Sequence, residues 1–95
     1  MRLVWTKRCL KELADINDYI GERNPRAAAR VVNGIHSKTE KLLSANPFLG
    51  RAGEIRGTRE LVIPATPYIV AYRVRDDHIE VLFVRHGARE WPDEV

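Results

Sequence analysis

Along the first half of this chain apolar residues recur every three or four positions, and along the second half they recur at every other position. Cys9, Leu13, Ile16 and Ile20 share one stripe, with charges on the opposite side, which predicts a helix over residues 7–22. Thr6 stands just before that stripe, where its hydroxyl can cap free N–H groups. Gly21 is permissive at the far end, and Asn24-Pro25 starts a second helix that runs to about Ala45. Its apolar side carries Ala28, Val31, Val32, Ile35, Thr39, Leu42 and Leu43. So short a link predicts an antiparallel helical hairpin.

The period-two segments are "RELVIP" (59–64), "YIVAYRVR" (68–75) and "HIEVLFVRH" (78–86), read as three consecutive strands. "RLVWT" at residues 2–6 is a first strand, and residues 48–58, with three glycines and no period, are a loop. The order β-α-α-β-β-β defines an α+β domain: an antiparallel sheet with a helical hairpin packed on one face. A two-residue turn at Asp76-Asp77 sets Arg73 opposite Glu80, and a turn centred on Thr66 sets Arg59 opposite Arg73. One face then holds Tyr68, Val70, Tyr72, Val74, Ile79, Val81 and Phe83 and packs on the helices. The other holds Arg59, Arg73, His78, Glu80, Leu82 and His86, and is the expected working surface.

Composition narrows the class. With 95 residues, 44% hydrophobic and 31% charged, the chain reads as a single globular domain spanning residues 1–95. No apolar run approaches membrane-spanning or signal-peptide length, and the lone cysteine, Cys9, falls in the helix stripe as a core residue; both fit a cytoplasmic protein. A net charge of +3 and a pI near 9.4 point to an acidic partner, nucleic acid or protein, without choosing between them.

Candidate chemistry is sparse. No Walker loop, paired cysteines or HExxH arrangement is present, so neither metal nor cofactor is expected. Metal-free RNA cleavage needs a base, an acid and cations about one phosphate. His78 and His86 lie eight residues apart on one strand, roughly 26 Å at the usual rise, and His36 belongs to a helix in another layer. An arginine cluster remains: Arg51, Arg56, Arg59, Arg73, Arg85 and Arg89, with Glu54 and Glu60 as carboxylates. Arginine holds phosphate well but is a poor base, and Arg73 has Glu80 as an ordinary cross-strand partner. In the closing "VRHGAREWPDEV", Gly87 ends the last strand, Trp91 can fold back on the core, and Arg85, Arg89 and Trp91 are residue types that dominate binding interfaces.

"NPFLGRAGEIRGTRELVIPATPYIVAYRV" followed by "VLFVRHGAREWP" resembles the RelE/ParE superfamily of bacterial type II toxin–antitoxin toxins, over almost the whole chain. The resemblance implies cytoplasmic action and a heteromeric complex with a co-encoded antitoxin, ParD-like or RelB-like. It also implies one of two activities. RelE-like members cut mRNA on the ribosome without metal, and carry an arginine after the first residue of a "Y-x-V-x-Y" strand and an ionisable aromatic or histidine near the C-terminus. Here those positions hold Ile69 and Trp91, and only Arg89 matches. ParE-like members lack that set and act by binding DNA gyrase. These departures favour the ParE branch, with Arg59, Arg73, Arg85, His86, Arg89 and Trp91 as the target-binding set, and leave the ribosome and its mRNA as the alternative target.

Overall fold

The structure, a computed structural model, describes residues 1–87. Both predicted helices form. The first, α1 (Lys7–Gly21), is capped by Thr6, whose Oγ1 accepts the Cys9 N–H at 3.1 Å. The second, α2 (Pro25–Ala45), is capped by Asn24, whose Oδ1 accepts the Ala27 N–H at 3.1 Å, with Pro25 in the first turn where no donor is lost. Their stripes face each other and the sheet: Cys9, Leu13, Ala28, Ile35, Thr39 and Leu43 are buried. The buried Thr39 hydroxyl donates to the Ile35 carbonyl at 2.7 Å, so it enters the core without an unmet bond.

The sheet has five strands: β1 (Arg2–Trp5), β2 (Arg51–Ala52), β3 (Arg59–Val62), β4 (Tyr68–Val74) and β5 (His78–His86), in the order β1-β5-β4-β3-β2. The chain's later strands pair antiparallel as expected. β1 adds to them in parallel against β5, Arg2 opposite His78 through Trp5 opposite Val81, with the helical hairpin as the crossover. β2 lies inside the segment read as loop: two residues with both side chains exposed give no period to detect.

Two register details correct the expected faces. The Asp76-Asp77 turn closes as predicted, with Arg73 opposite Glu80, but Arg59 pairs with Tyr72 rather than Arg73. Between Ile63 and Tyr68, joined by the Ile63 N–H donating to Tyr68 O, the turn has four residues, Pro64 to Pro67, with Ala65 at φ 63° and the Thr66 hydroxyl bonded to both Ile63 O and Tyr68 N. Arg59 therefore belongs to the helix side, where its guanidinium reaches the loop after α2. On β5 a bulge at Leu82 shifts the pairing, so Ala71 faces Phe83 while Tyr72 faces Val81. Beyond it the alternation inverts. Val84 joins the main core with Leu61 and Val70, whereas Phe83 packs on the far face with Ala71, Leu82 and Ile55. His86 likewise falls beside Tyr68, not on the far face.

β1 covers only the first four residues of β5, and α1 takes over the rest of that edge. Thr6 donates through its N–H to Val81 O (3.1 Å) and through its hydroxyl to Leu82 O (2.8 Å), and Glu12 Oε1 accepts the Val84 N–H at 3.0 Å. On the central strand β4, Tyr72, fully buried, holds the chain leaving α2: its hydroxyl accepts the Gly50 N–H (2.8 Å) and donates to Pro47 O (2.9 Å). A Cβ on Gly50 would lie 2.7 Å from that hydroxyl, which is why glycine is needed there.

Tyr72→Phe leaves the Gly50 N–H buried and unmet, and is expected to destabilise the protein by about 1–3 kcal/mol in denaturant titration. Cys9 gives a pH signature. Burial, reinforced by the charge of Glu12, raises its thiol pKa from 9.0 to about 12. Below pH 9 both folded and unfolded chains keep the proton; between 9 and 12 only the unfolded chain releases it, so this contribution to stability is lost as pH rises. The stability difference between wild type and Cys9→Ala is expected to shrink across that window.

Candidate interaction surface

On the far face and at its margin, two carboxylates, Glu12 and Glu80, each hold a pair of arginines. At the margin of β5, Glu12 Oε2 accepts Arg85 Nη1 at 2.7 Å and lies 3.6 Å from Arg8 Nε. The two guanidiniums also flank the Phe83 ring, at 4.5 Å for Arg8 and 5.4 Å for Arg85 from its centroid. Across the sheet, Glu80 Oε1 takes Arg73 Nε at 3.0 Å and Arg75 Nη2 at 3.5 Å. Each group is thus oriented and keeps one excess positive charge.

Glu60, one of the two candidate carboxylates, is buried, 4% exposed. β3 places it on the far face beside Ala71, where it accepts Arg51 Nε at 3.2 Å and the Glu54 N–H at 2.8 Å. It is a structural tie between β2 and β3. Arg59 is likewise engaged, donating to Gly50 O at 2.8 Å and Phe48 O at 3.3 Å with its guanidinium 5.0 Å from the Phe48 ring centre.

The three histidines are apart. His78 starts β5 and bonds Asp77 at 2.7 Å; that hydrogen bond, with the charge behind it, lowers the Asp77 carboxyl below its ordinary value. His86 ends β5, edge-on to Tyr68 at 5.6 Å. His36 stacks on Trp5 at 4.7 Å, and both lie against Glu40, which accepts the indole N–H at 3.0 Å. Beside His86 a groove of about 650 Å³ runs between α1 and the end of β5, with Ile16, Tyr68 and Val84 as its apolar lining and Glu12 and Asp15 as its acidic one.

Of the predicted target-binding residues, then, Arg85 and His86 are neighbours at the end of β5, Arg73 lies on the far face, and Arg59 sits on β3, two strands from β5, on the helix side. Arg89 and Trp91 lie outside the described residues. No cluster of three potential metal ligands occurs among the described residues.

The profile of the ParE toxin of the type II toxin–antitoxin system, parDE, matches residues 3–91. The chain belongs to the ParE toxin family. Relatives of this ParE-family toxin include toxin Y4kP of Sinorhizobium fredii, 44% identical over 96% of this chain and 93% of the relative. Toxin RelE2 of Caulobacter vibrioides is 36% identical over 93% and 97%. Among solved structures, the chromosomal ParDE toxin–antitoxin system from P. aeruginosa superposes with a TM-score of 0.82 at 29% identity, covering 90% of this chain and 95% of that one. The toxin–antitoxin assignment and the ParE fold therefore stand together.

Ile69, the second residue of β4, is buried and pairs with Arg85. Sequence reading missed Glu12, which looks like one more charge on a polar helix face; only its spacing of four from Arg8 hinted at a tie. It also passed over Tyr72 as a clamp, because a tyrosine in an alternating strand reads as core. The Glu12–Arg85 tie is checked by a double-mutant cycle: Glu12→Ala and Arg85→Ala are expected to couple by about 1.5–3 kcal/mol in unfolding free energy, since this is a charged hydrogen bond with limited solvent access.

Proposed function

We propose that this ParE-family toxin inhibits growth by binding, with DNA gyrase as its target, and that a ParD-like or RelB-like antitoxin in the same cytoplasm neutralises it in a heteromeric complex. The observation that carries the reading is Ile69. A buried aliphatic side chain stands where, on the resemblance, RelE-like members typically carry an arginine. It can neither bind the scissile phosphate nor stabilise the charge that develops there. The histidines add support, since they sit at the two ends of β5 and on α2, too dispersed to serve as acid and base for one phosphate. The target-contacting set on this reading is Arg59, Arg73, Arg85, His86, Arg89 and Trp91, within one domain over residues 1–95.

A second reading, ribosome-dependent cleavage of mRNA, is favoured by the relative named toxin RelE2. The two separate cleanly. Induction in cells is expected to raise a DNA-damage response and leave messages intact, and purified protein to inhibit supercoiling by purified gyrase. Codon-phased cleavage of mRNA on purified ribosomes, with supercoiling untouched, would instead establish the ribonuclease.

A further inference from the structure

The two arginine pairs of the far face and its margin leave part of each guanidinium unused. Arg8 and Arg73 meet their carboxylates through Nε, at 3.6 and 3.0 Å, so both Nη groups of each remain for a second acceptor. Arg85 and Arg75 are tied through a single Nη, at 2.7 and 3.5 Å. In each trio one arginine stands further out than the acid: Arg8 is 37% exposed against 17% for Glu12, and Arg75 48% against 28% for Glu80. The carboxylates brace the two forks while their cationic ends stay in solvent. The other charges of this face nearly balance. Arg51 is paired with buried Glu60, Arg2 and His78 begin neighbouring strands beside Asp77, and Glu54 and Arg56 are both exposed in the loop that lays Ile55 on this face. Asp76 is exposed at the turn before β5, at one end of the track. The excess positive charge therefore lies with the forks.

Between the forks, among the described residues, the face has no exposed apolar patch: Ala71 and Phe83 are 1% exposed and Leu82 6%. Val4 and Val62 are exposed singly, on β1 and β3, with β5 and β4 between them. Protein interfaces are built round an apolar centre, whereas nucleic-acid interfaces are polar and positively charged. Spacing narrows the partner further. Glu80 and Arg85 mark the two forks on β5, with the bulge at Leu82 between them, a separation of roughly 13–16 Å along the strand. That is on the order of the ~12 Å width of the major groove of B-form DNA, which is bordered by phosphates on both sides. An A-form RNA helix has a narrow major groove and does not offer this spacing. We propose that the far face docks on duplex DNA, Arg8 and Arg85 taking one phosphate and Arg73 and Arg75 another across the major groove. Arg8 and Arg75 are thereby contact residues in their own right. The contact belongs to the toxin alone and goes beyond the gyrase reading above.

The test is binding of the purified full chain to a short fluorescent DNA duplex, followed by anisotropy over a series of salt concentrations. Duplex RNA and poly-glutamate are the competing ligands. Arg8→Gln and Arg75→Gln leave Glu12 and Glu80 their other arginine, so both are expected to melt like wild type. Each is expected to bind DNA about tenfold more weakly at low salt and to lower the salt slope by about one. Arg26→Gln, the same charge change at an exposed position on α2, is expected to bind like wild type. Arg8→Lys and Arg75→Lys are expected to keep the slope yet bind more weakly, since lysine retains the charge and loses the fork; they decide if a glutamine variant fails to fold. Absence of DNA binding at low salt, unchanged binding in both fork variants, an equal loss in Arg26→Gln, or tighter binding of RNA or poly-glutamate than of DNA would overturn the inference. Supercoiling by purified gyrase is scored separately. DNA binding without gyrase inhibition sinks the gyrase reading and keeps this face; gyrase inhibition by a toxin that ignores DNA does the reverse.

Discussion

The outer edge of β5 is the constraint on which the rest of the molecule depends. A nine-residue strand is matched by a four-residue neighbour, so more than half of one edge would be left with bare backbone groups. The chain solves this with the residues that begin α1. Thr6 serves the strand and the helix together, receiving Cys9 N–H as a cap while reaching the carbonyl of the bulged residue Leu82; Glu12, nearly two turns on, closes over Val84. That closure fixes how α1 crosses the sheet, and so where α2 must lie.

The same closure shapes the surface. Because Glu12 is spent on the strand edge, its second oxygen organises Arg85 and Arg8 about Phe83, and Glu80 does the same for Arg73 and Arg75. Arginines so held lose little freedom when they meet an anion, and the surplus charge of each cluster stays available. The overall basicity of the chain is in this way converted into a patterned surface, with a helix carboxylate as the organising element.

Much of this was legible in the sequence. The helix stripes, both N-caps and the Asp76-Asp77 hairpin followed from local rules, because each depends on residues within a turn of one another. What escaped was what depends on counting across a turn or a bulge. One residue in the Pro64–Pro67 connection moved Arg59 to the helix side, and one extra residue at Leu82 sent Phe83 and Val84 to opposite faces from those a strict alternation assigns. For the site, the residue types were visible but their neighbours were not: nothing local in the sequence links Arg85 to Glu12, or Gly50 to Tyr72, since each partner arrives from a distant element.

The parallel pairing of β1 with β5 also has a consequence in time. Arg2 must find His78, with the helical hairpin and all the other strands lying between them in the chain. The hairpin can form as soon as it is synthesised, but the first strand has no edge to join until the last one exists, and closing so long a span is slow. Until β5 has been made, the nascent chain therefore carries β1 without the edge it pairs with. The sheet is thus completed in one late step, when β5 supplies the missing edge.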